Sequence, residues 1–206
     1  MRPPAELATG ESRPAPSTAA LLAAHGLIAG WSRPVVGPVS FALHRGDVLG
    51  LWGANGSGKS TLLAAVAGQA RRFGGAIERA PGIGLAVQPQ APVRFAPLPV
   101  TGRELLHIAG VAAAADGLPP TLARVLGRRL DRISGGQYQL LCVWAALAGG
   151  ARLVLLDEPT NNLDPTHAAL LGEMLAARRA DRAVLLVSHE RPFLDAHCTR
   201  VLALDG

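Results

Sequence analysis

The chain has 206 residues, 49% of them hydrophobic, and carries 20 Lys and Arg against 15 Asp and Glu, a net charge of +5. This length suits one domain with a sizeable core, and the scattered arginines, with no basic run or interleaved aromatics, argue against direct nucleic-acid binding. No apolar run reaches the roughly 18 residues of a membrane span, and no signal-peptide pattern is present, which predicts a cytoplasmic protein.

The first part of the chain is predicted to form a tail and then several short strands. Residues 1–18 are rich in Pro, Ala, Ser and Arg, which is typical of a disordered tail. Apolar runs predict strands over Ala20–Ile28, Val39–Leu43, Val48–Trp52, Ala76–Glu78 and Ile83–Val87. A helix is predicted from Leu62 to about Ala70, and Gly74-Gly75 is predicted to break the chain.

From Gln88 to about Arg132 the sequence changes character and predicts a helical insertion, part of a subdomain over about 89–145. Thr101 and Glu104 have the spacing of a capping box, which predicts a helix from there to about Ala115. A second helix is predicted over Pro120–Leu130, because its leucines and valine fall on one face.

The remaining segments alternate between helix and strand. Helices are predicted from Ser134 to Ala148 and from Asp164-Pro165 onwards, and strands over Leu153–Leu156, Val184–Val187 and Val201–Leu204. Such alternation predicts an α/β fold with a largely parallel sheet covered on both faces.

A glycine-rich loop between a predicted strand and a predicted helix has the spacing of a phosphate-binding loop. Its predicted ligand-binding residues are Gly53, Ala54, Asn55, Gly56, Ser57, Gly58, Lys59, Ser60 and Thr61. Lys59, the only lysine in the chain, would contact the terminal phosphates, and the Ser60 hydroxyl would be a ligand of Mg²⁺. The loop therefore predicts a nucleotide site.

Two acids follow the apolar strand Leu153–Leu156, at the edge where α/β sheets bind ligands. Asp157 is the candidate holder of Mg²⁺, and Glu158 is placed to polarise a water molecule for attack on a γ-phosphate. The alternative interpretation is an acidic helix cap after a strand.

The segment Ile133–Gln139, ISGGQYQ, is similar to the LSGGQ signature of ATP-binding cassette (ABC) ATPases. The resemblance covers about Leu22–Gly206 and implies a P-loop fold, with an N-terminal antiparallel subdomain, for a domain over 19–206. It also implies that ATP lies between two copies of the chain arranged head to tail. Each copy would then offer Ser134, Gly135, Gly136 and Gln137 to the nucleotide on the other.

The resemblance implies roles for four further residues. Trp31 would stack on adenine, the alternative being a loop aromatic in the core. Gln88 would reach Mg²⁺ and sense a membrane partner, and Asp164 would act across the dimer. His189 would contact the γ-phosphate and would act in catalysis with Glu158 and Lys59. The family's two arginines after the signature are replaced by apolar residues within Gln139–Leu147, which indicates an unusual or less active member.

Two kinds of ABC protein share features with this chain. The stretch from Gln88 through Pro97-Leu98-Pro99-Val100-Thr101 resembles zinc and manganese importer cassettes, which implies a separate transmembrane permease and a place on the inner face of the cell membrane. Its DEPTNNLD and VSHERPFLD segments resemble ABC-F proteins, soluble ATPases that act on ribosomes. ABC-F proteins normally carry two cassettes and a long linker, so the single cassette favours a transporter subunit.

Overall fold

The computed structural model describes residues 19–90, 99–111 and 117–204, and the predicted tail over 1–18 lies outside them. Within these ranges the strands are β1 Leu22–Gly30, β2 Pro34–Leu43, β3 Val48–Trp52, β4 Arg71–Arg79, β5 Leu85–Gln88, β6 Leu153–Asp157, β7 Ala183–Val187 and β8 Arg200–Ala203. The α-helices are α1 Lys59–Val66, α2 Gly102–Ile108, α3 Pro120–Ala123, α4 Gly135–Ala148, α5 Pro165–Arg178 and α6 Arg191–His197. The predicted α/β fold is confirmed.

The strands form two sheets. Strands β2, β1 and β4 make a three-stranded antiparallel sheet, and the other five form a parallel sheet in the order β5-β6-β7-β3-β8. Because its strands are parallel, the carboxyl ends of β3, β6 and β7 meet at one edge. That edge carries the phosphate loop, the two acids and His189, and it is where open α/β sheets bind ligands.

The parallel sheet is buried on both faces, which explains its continuous apolar strands. Successive residues of a strand point to opposite faces, so Val154 and Leu156 pack with helices α4, α5 and α6. Leu153 and Leu155 pack on the other side with α1 and the antiparallel sheet. The sheet therefore joins two hydrophobic clusters and holds the ligand edge between them.

Local predictions succeeded where sequence signals act within one element. Strand β3 has the predicted bounds, and the predicted capping box between Thr101 and Glu104 begins α2, with the Glu104 amide 3.3 Å from the Thr101 hydroxyl. Helix α5 begins at Pro165 as predicted, with Asp164 as its N-cap. None of the described helices has the length and apolar character needed to cross a membrane.

Two predictions were wrong where tertiary contacts prevailed. Gly74-Gly75 lies inside β4, paired with β1, rather than breaking the chain. The helix predicted over Pro120–Leu130 ends at Ala123, because the carbonyls of Leu126 and Arg128 accept hydrogen bonds from the first amides of α2. The helix predicted to about Ala115 ends at Ile108, because Gly110, with φ 72°, turns the chain there, and helix α6 was not predicted at all.

Candidate functional site

The phosphate loop is a tight turn between β3 and α1. Gly58 has φ 89°, which L-residues rarely adopt, and it is the N-cap of α1. A Cβ on Gly58 would lie only 2.6 Å from the Cβ of Val36, so the close approach of β2 also requires glycine there. The turn thereby aims the N-terminus of α1 into the loop, a geometry that favours anions.

Lys59 is buried at the start of α1, with 7% of its surface exposed. Its Nζ donates hydrogen bonds to the carbonyl oxygens of Gly53 (2.8 Å) and Ala54 (2.9 Å). The ammonium is thus held against the loop, where it can meet the charge of a bound triphosphate. The Ser57 hydroxyl is buried in the same loop and has no hydrogen-bond partner among the described residues.

A cleft of about 300 Å³ opens over the loop. Its lining residues are Val35, Asn55, Gly56, Gly58, Lys59, Ser60, Thr61, Gln90 and Glu158. The cleft therefore brings predicted phosphate contacts and the candidate base to one space. Sequence reasoning missed Val35 and Gln90. Gln90 could have been considered from the sequence, because it is a second glutamine two residues after Gln88, just past the end of β5.

The two candidate Mg²⁺ ligands of the loop and of β6 are neighbours. The Ser60 hydroxyl donates to Asp157 Oδ1 at 3.0 Å. Partial burial raises the pKa of Asp157, with the charge of Glu158 adding to this, while the Ser60 hydrogen bond and the Lys59 charge oppose it. A hydroxyl and a carboxylate are hard oxygen donors, and Mg²⁺ is commonly bound by one or two carboxylates plus substrate phosphates. The donor set fits that ion.

Glu158 and His189 form a hydrogen-bonded pair at the ends of β6 and β7. Glu158 is buried, and its Oε2 lies 2.9 Å from His189 Nδ1 and 3.3 Å from the His189 amide. The His189 side chain is 55% exposed. A buried carboxylate that lines the phosphate cleft beside an accessible imidazole can orient a water molecule and accept its proton.

Gln88 occupies a different position from the one expected of a Mg²⁺ ligand. It is 2% exposed, its Nε2 donates to the Pro89 carbonyl at 2.6 Å, and its Oε1 is buried with no partner among the described residues. It does not line the phosphate cleft but an adjacent apolar groove. Of the two glutamines, Gln90 is the one at the cleft.

The signature residues form the first turn of α4. Ser134 and Gln137 make a capping box, in which the Ser134 hydroxyl accepts from the Gln137 amide and Gln137 Oε1 accepts from the Ser134 amide, both at 3.1 Å. The Ser-x-x-Gln spacing is itself a sequence signal for this cap. Within the described chain, Ser134–Gln137 is absent from the lining of the phosphate cleft.

Asp164 and Trp31 are both exposed. Asp164 caps α5 by accepting from the His167 amide at 2.9 Å, and its other oxygen lies 2.7 Å from His167 Nδ1. These hydrogen bonds lower the pKa of Asp164. Trp31, in the turn between β1 and β2, is 58% exposed, so it is not the core aromatic of the alternative interpretation.

Comparison with known proteins adds independent evidence. A family model described as ABC transporter matches residues 36–161, a range with the phosphate loop, the signature and both acids. The chain is 35% identical over 183 residues to the zinc import ATP-binding protein ZnuC of Paracoccus denitrificans, covering 86% of this chain and 72% of that protein. It is 33% identical over 180 residues to ZnuC of Yersinia pestis, covering 84% and 71%. A solved ATP-binding subunit of an ABC transporter is 27% identical, with TM-score 0.73 and coverage of 89% of this chain and 85% of that one.

Proposed function

The chain belongs to the ABC transporter family, and we propose that it is the ATP-hydrolysing subunit of a metal importer, with zinc as the favoured cargo. The observation that carries the proposal is the meeting of Lys59, Asp157, Glu158 and His189 at one sheet edge. The relatives with 33–35% identity are named as zinc import proteins. Disrupting the gene in its own host should lower uptake of radioactive zinc, and the intact gene should restore it. Unchanged uptake of zinc and manganese would reject metal import.

In the proposed reaction the phosphate loop binds ATP and the strand ends act on its γ-phosphate. The positive charge of Lys59 and the N-terminus of α1 stabilise the negative charge of the phosphates. Ser60 and Asp157 would hold Mg²⁺, which neutralises phosphate charge during phosphoryl transfer. Glu158 then accepts a proton from the attacking water, with His189 holding the carboxylate in place through its Nδ1 and amide.

The proposed active unit is a head-to-tail dimer of two copies. Ser134–Gln137 forms a well-capped helix N-terminus, suited to an anion, yet lies apart from the phosphate cleft of its own chain. A second copy would use this turn to complete the site on the first. Asp164, exposed at the start of α5, is available for contacts across the same interface.

A membrane permease is the second proposed partner, and an apolar groove beside Gln88 is its proposed docking place. The groove holds about 540 Å³ and is lined mainly by apolar residues of β5, of α4 and of the end of α2 with the residue after it, among them Leu105, Ala109, Cys142 and Ala146. The groove lies beside Gln88, which the resemblance assigns to sensing a membrane partner, and between the end of β5 and the helical insertion. This docking would place the chain on the inner face of the membrane.

Replacing Ala109 with arginine should prevent assembly with the permease while leaving the ATP hydrolysis of the isolated chain unchanged. Ala109 is exposed at the end of α2 and lines the groove, so a long charged side chain there fills the docking space without disturbing the core. Co-purification with membranes that contain the permease measures the effect. The matched control is Ala176→Arg, on an exposed position of α5, which should assemble normally. Equal assembly of both variants would exclude the groove.

Replacing Trp31 with alanine should weaken ATP binding by up to about tenfold, because an aromatic stack contributes up to about 1.5 kcal/mol beyond its buried area. Trp31→Phe should retain most of the affinity, since it keeps a π-face. Titration with a fluorescent ATP analogue measures both. Wild-type affinity in the alanine variant would mean that Trp31 does not contact the base.

The ribosome-associated alternative is not favoured. The curated relatives reported above are named for zinc import, and the solved neighbour is an ATP-binding subunit of an ABC transporter. Co-sedimentation with ribosomes rather than with membranes would reverse this preference.

A further inference from the structure

We infer that Thr160 and Ser188 form a buried hydroxyl clamp that positions Glu158 and His189 for catalysis. This inference rests on the proposed ATPase function and assigns two positioning residues to it. Neither residue lines the phosphate cleft. Ser188 acts through the adjacent His189, and Thr160 acts through Glu158, two residues before it.

The two hydroxyls make a direct contact in the interior. Thr160 Oγ1 and Ser188 Oγ lie 2.9 Å apart, and the two residues are 1% and 0% exposed. Ser188 Oγ also accepts a hydrogen bond from the Glu190 amide at 3.1 Å. Buried hydrogen bonds of this kind have no competing water, so they restrict the backbone segments that carry them.

The contact joins the two loops that carry the catalytic pair. Thr160 lies two residues after Glu158, beyond the end of β6, and Ser188 directly precedes His189, beyond the end of β7. These strands are parallel neighbours, with Asp157 paired to Val187. A bond between the loops therefore sets the separation on which the 2.9 Å contact between Glu158 Oε2 and His189 Nδ1 depends.

The backbone of Glu158 needs such restraint. Its φ of 48° is in the left-handed region, which residues other than glycine rarely adopt and which persists only where surrounding contacts determine it. The Glu158 amide donates to the Val187 carbonyl at 2.9 Å, and Gln139 Nε2 donates to the Pro159 carbonyl at 3.4 Å. The hydroxyl clamp adds a third contact that holds this loop, at Thr160 directly after Pro159.

The unfolding temperature and the rate of ATP hydrolysis together distinguish a purely structural role from a positioning role. Replacing both partners of a buried hydrogen bond with apolar groups of similar shape is often nearly neutral for stability. Thr160→Val with Ser188→Ala is such a replacement, and beyond the pair it leaves only the partly buried Glu190 amide without its hydroxyl acceptor, so this double variant should unfold only slightly below the wild-type temperature. If the clamp positions Glu158 and His189, the double variant should still hydrolyse ATP slowly even though its fold is stable.

Steady-state ATPase kinetics test the clamp. In Thr160→Val, in Ser188→Ala and in the double variant we expect kcat to fall about tenfold, with KM for ATP within about twofold of wild type, since the contact acts on the chemical step. Loss in the double variant should not exceed that of the slower single variant by more than about twofold, because both changes break one contact. Thr160→Ser, which keeps the hydroxyl, should restore kcat to within about threefold.

The control is Thr199→Val. The Thr199 hydroxyl accepts a hydrogen bond from the Val48 amide and donates one to the Val48 carbonyl. Val48 is the first residue of β3, at the end of the strand opposite the phosphate loop. The kcat of this variant per folded molecule should stay at the wild-type value. Wild-type kcat in Thr160→Val, or recovery of kcat in the double variant together with its stability, would overturn the clamp. Absence of hydrolysis in the wild-type chain would instead reject the proposed function itself.

Discussion

Replacing Glu158 with glutamine should reduce ATP hydrolysis by a factor on the order of 10² to 10⁴ while ATP binding is retained. Glutamine keeps the shape of the buried side chain and one oxygen that can face His189, but it cannot accept a proton from water. The residue lines the cleft without contributing to the phosphate loop, so binding should be spared. Steady-state phosphate release and titration with an ATP analogue measure the two effects.

The same variant should trap the proposed dimer. ATP that is bound but not hydrolysed keeps both copies joined, so Glu158→Gln should elute as a dimer in the presence of ATP and as a monomer without it. The matched control is Glu173→Gln, at an exposed acid of α5, which should hydrolyse ATP normally. A monomeric Glu158→Gln protein in saturating ATP would count against the head-to-tail arrangement. Normal hydrolysis by that variant would remove Glu158 from the role of base.

Replacing Lys59 with alanine should weaken ATP binding by about one to two orders of magnitude and abolish measurable hydrolysis. Hydrogen bonds to charged groups contribute about 1.5–3 kcal/mol, and this ammonium is held in the loop by the carbonyls of Gly53 and Ala54. Lys59→Arg should bind ATP better than the alanine variant, because it keeps the charge, but should hydrolyse it poorly. A planar guanidinium does not fit the point contact that Nζ makes with two carbonyls.

Chemical modification provides a second test of whether ATP covers Lys59. Because it is the only lysine, an amine-reactive reagent can modify one side chain, which peptide mapping identifies without ambiguity. Modification should be slow, since the ammonium is buried and hydrogen-bonded, and ATP should slow it further. Equal modification with and without ATP would show that the nucleotide does not cover Lys59.

Several site residues could be predicted because their signals are local. The spacing of glycines between a strand and a helix requires only one continuous segment, and β3 and α1 flank the loop as expected. The acids at the end of β6 were identified in the same way, from an apolar strand followed by polar residues, whereas His189 after β7 was assigned through the resemblance to ABC ATPases. In each case a strand end placed the side chain, so its position followed from the order of residues along the chain.

Other contacts could not be predicted because they join distant segments. Gln88 has the expected place after a strand, but the fold buries its side chain against the apolar groove and leaves Gln90 at the cleft. The helix expected over Pro120–Leu130 is replaced by turns whose carbonyls bind α2. The bond between Thr160 and Ser188 spans 28 residues and has no periodic signal in the sequence.

The sequence by itself determined the α/β class, the phosphate loop, the acids and the signature, because hydrophobic period and motif spacing are properties of contiguous residues. Only the tertiary structure decided that β7 lies between β6 and β3, although it follows both in the chain. That strand order brings His189 beside Glu158 and joins Ser188 to Thr160. The physical reason is that strand order depends on which distant backbones pair while both faces of the sheet are buried, and no local pattern specifies that choice.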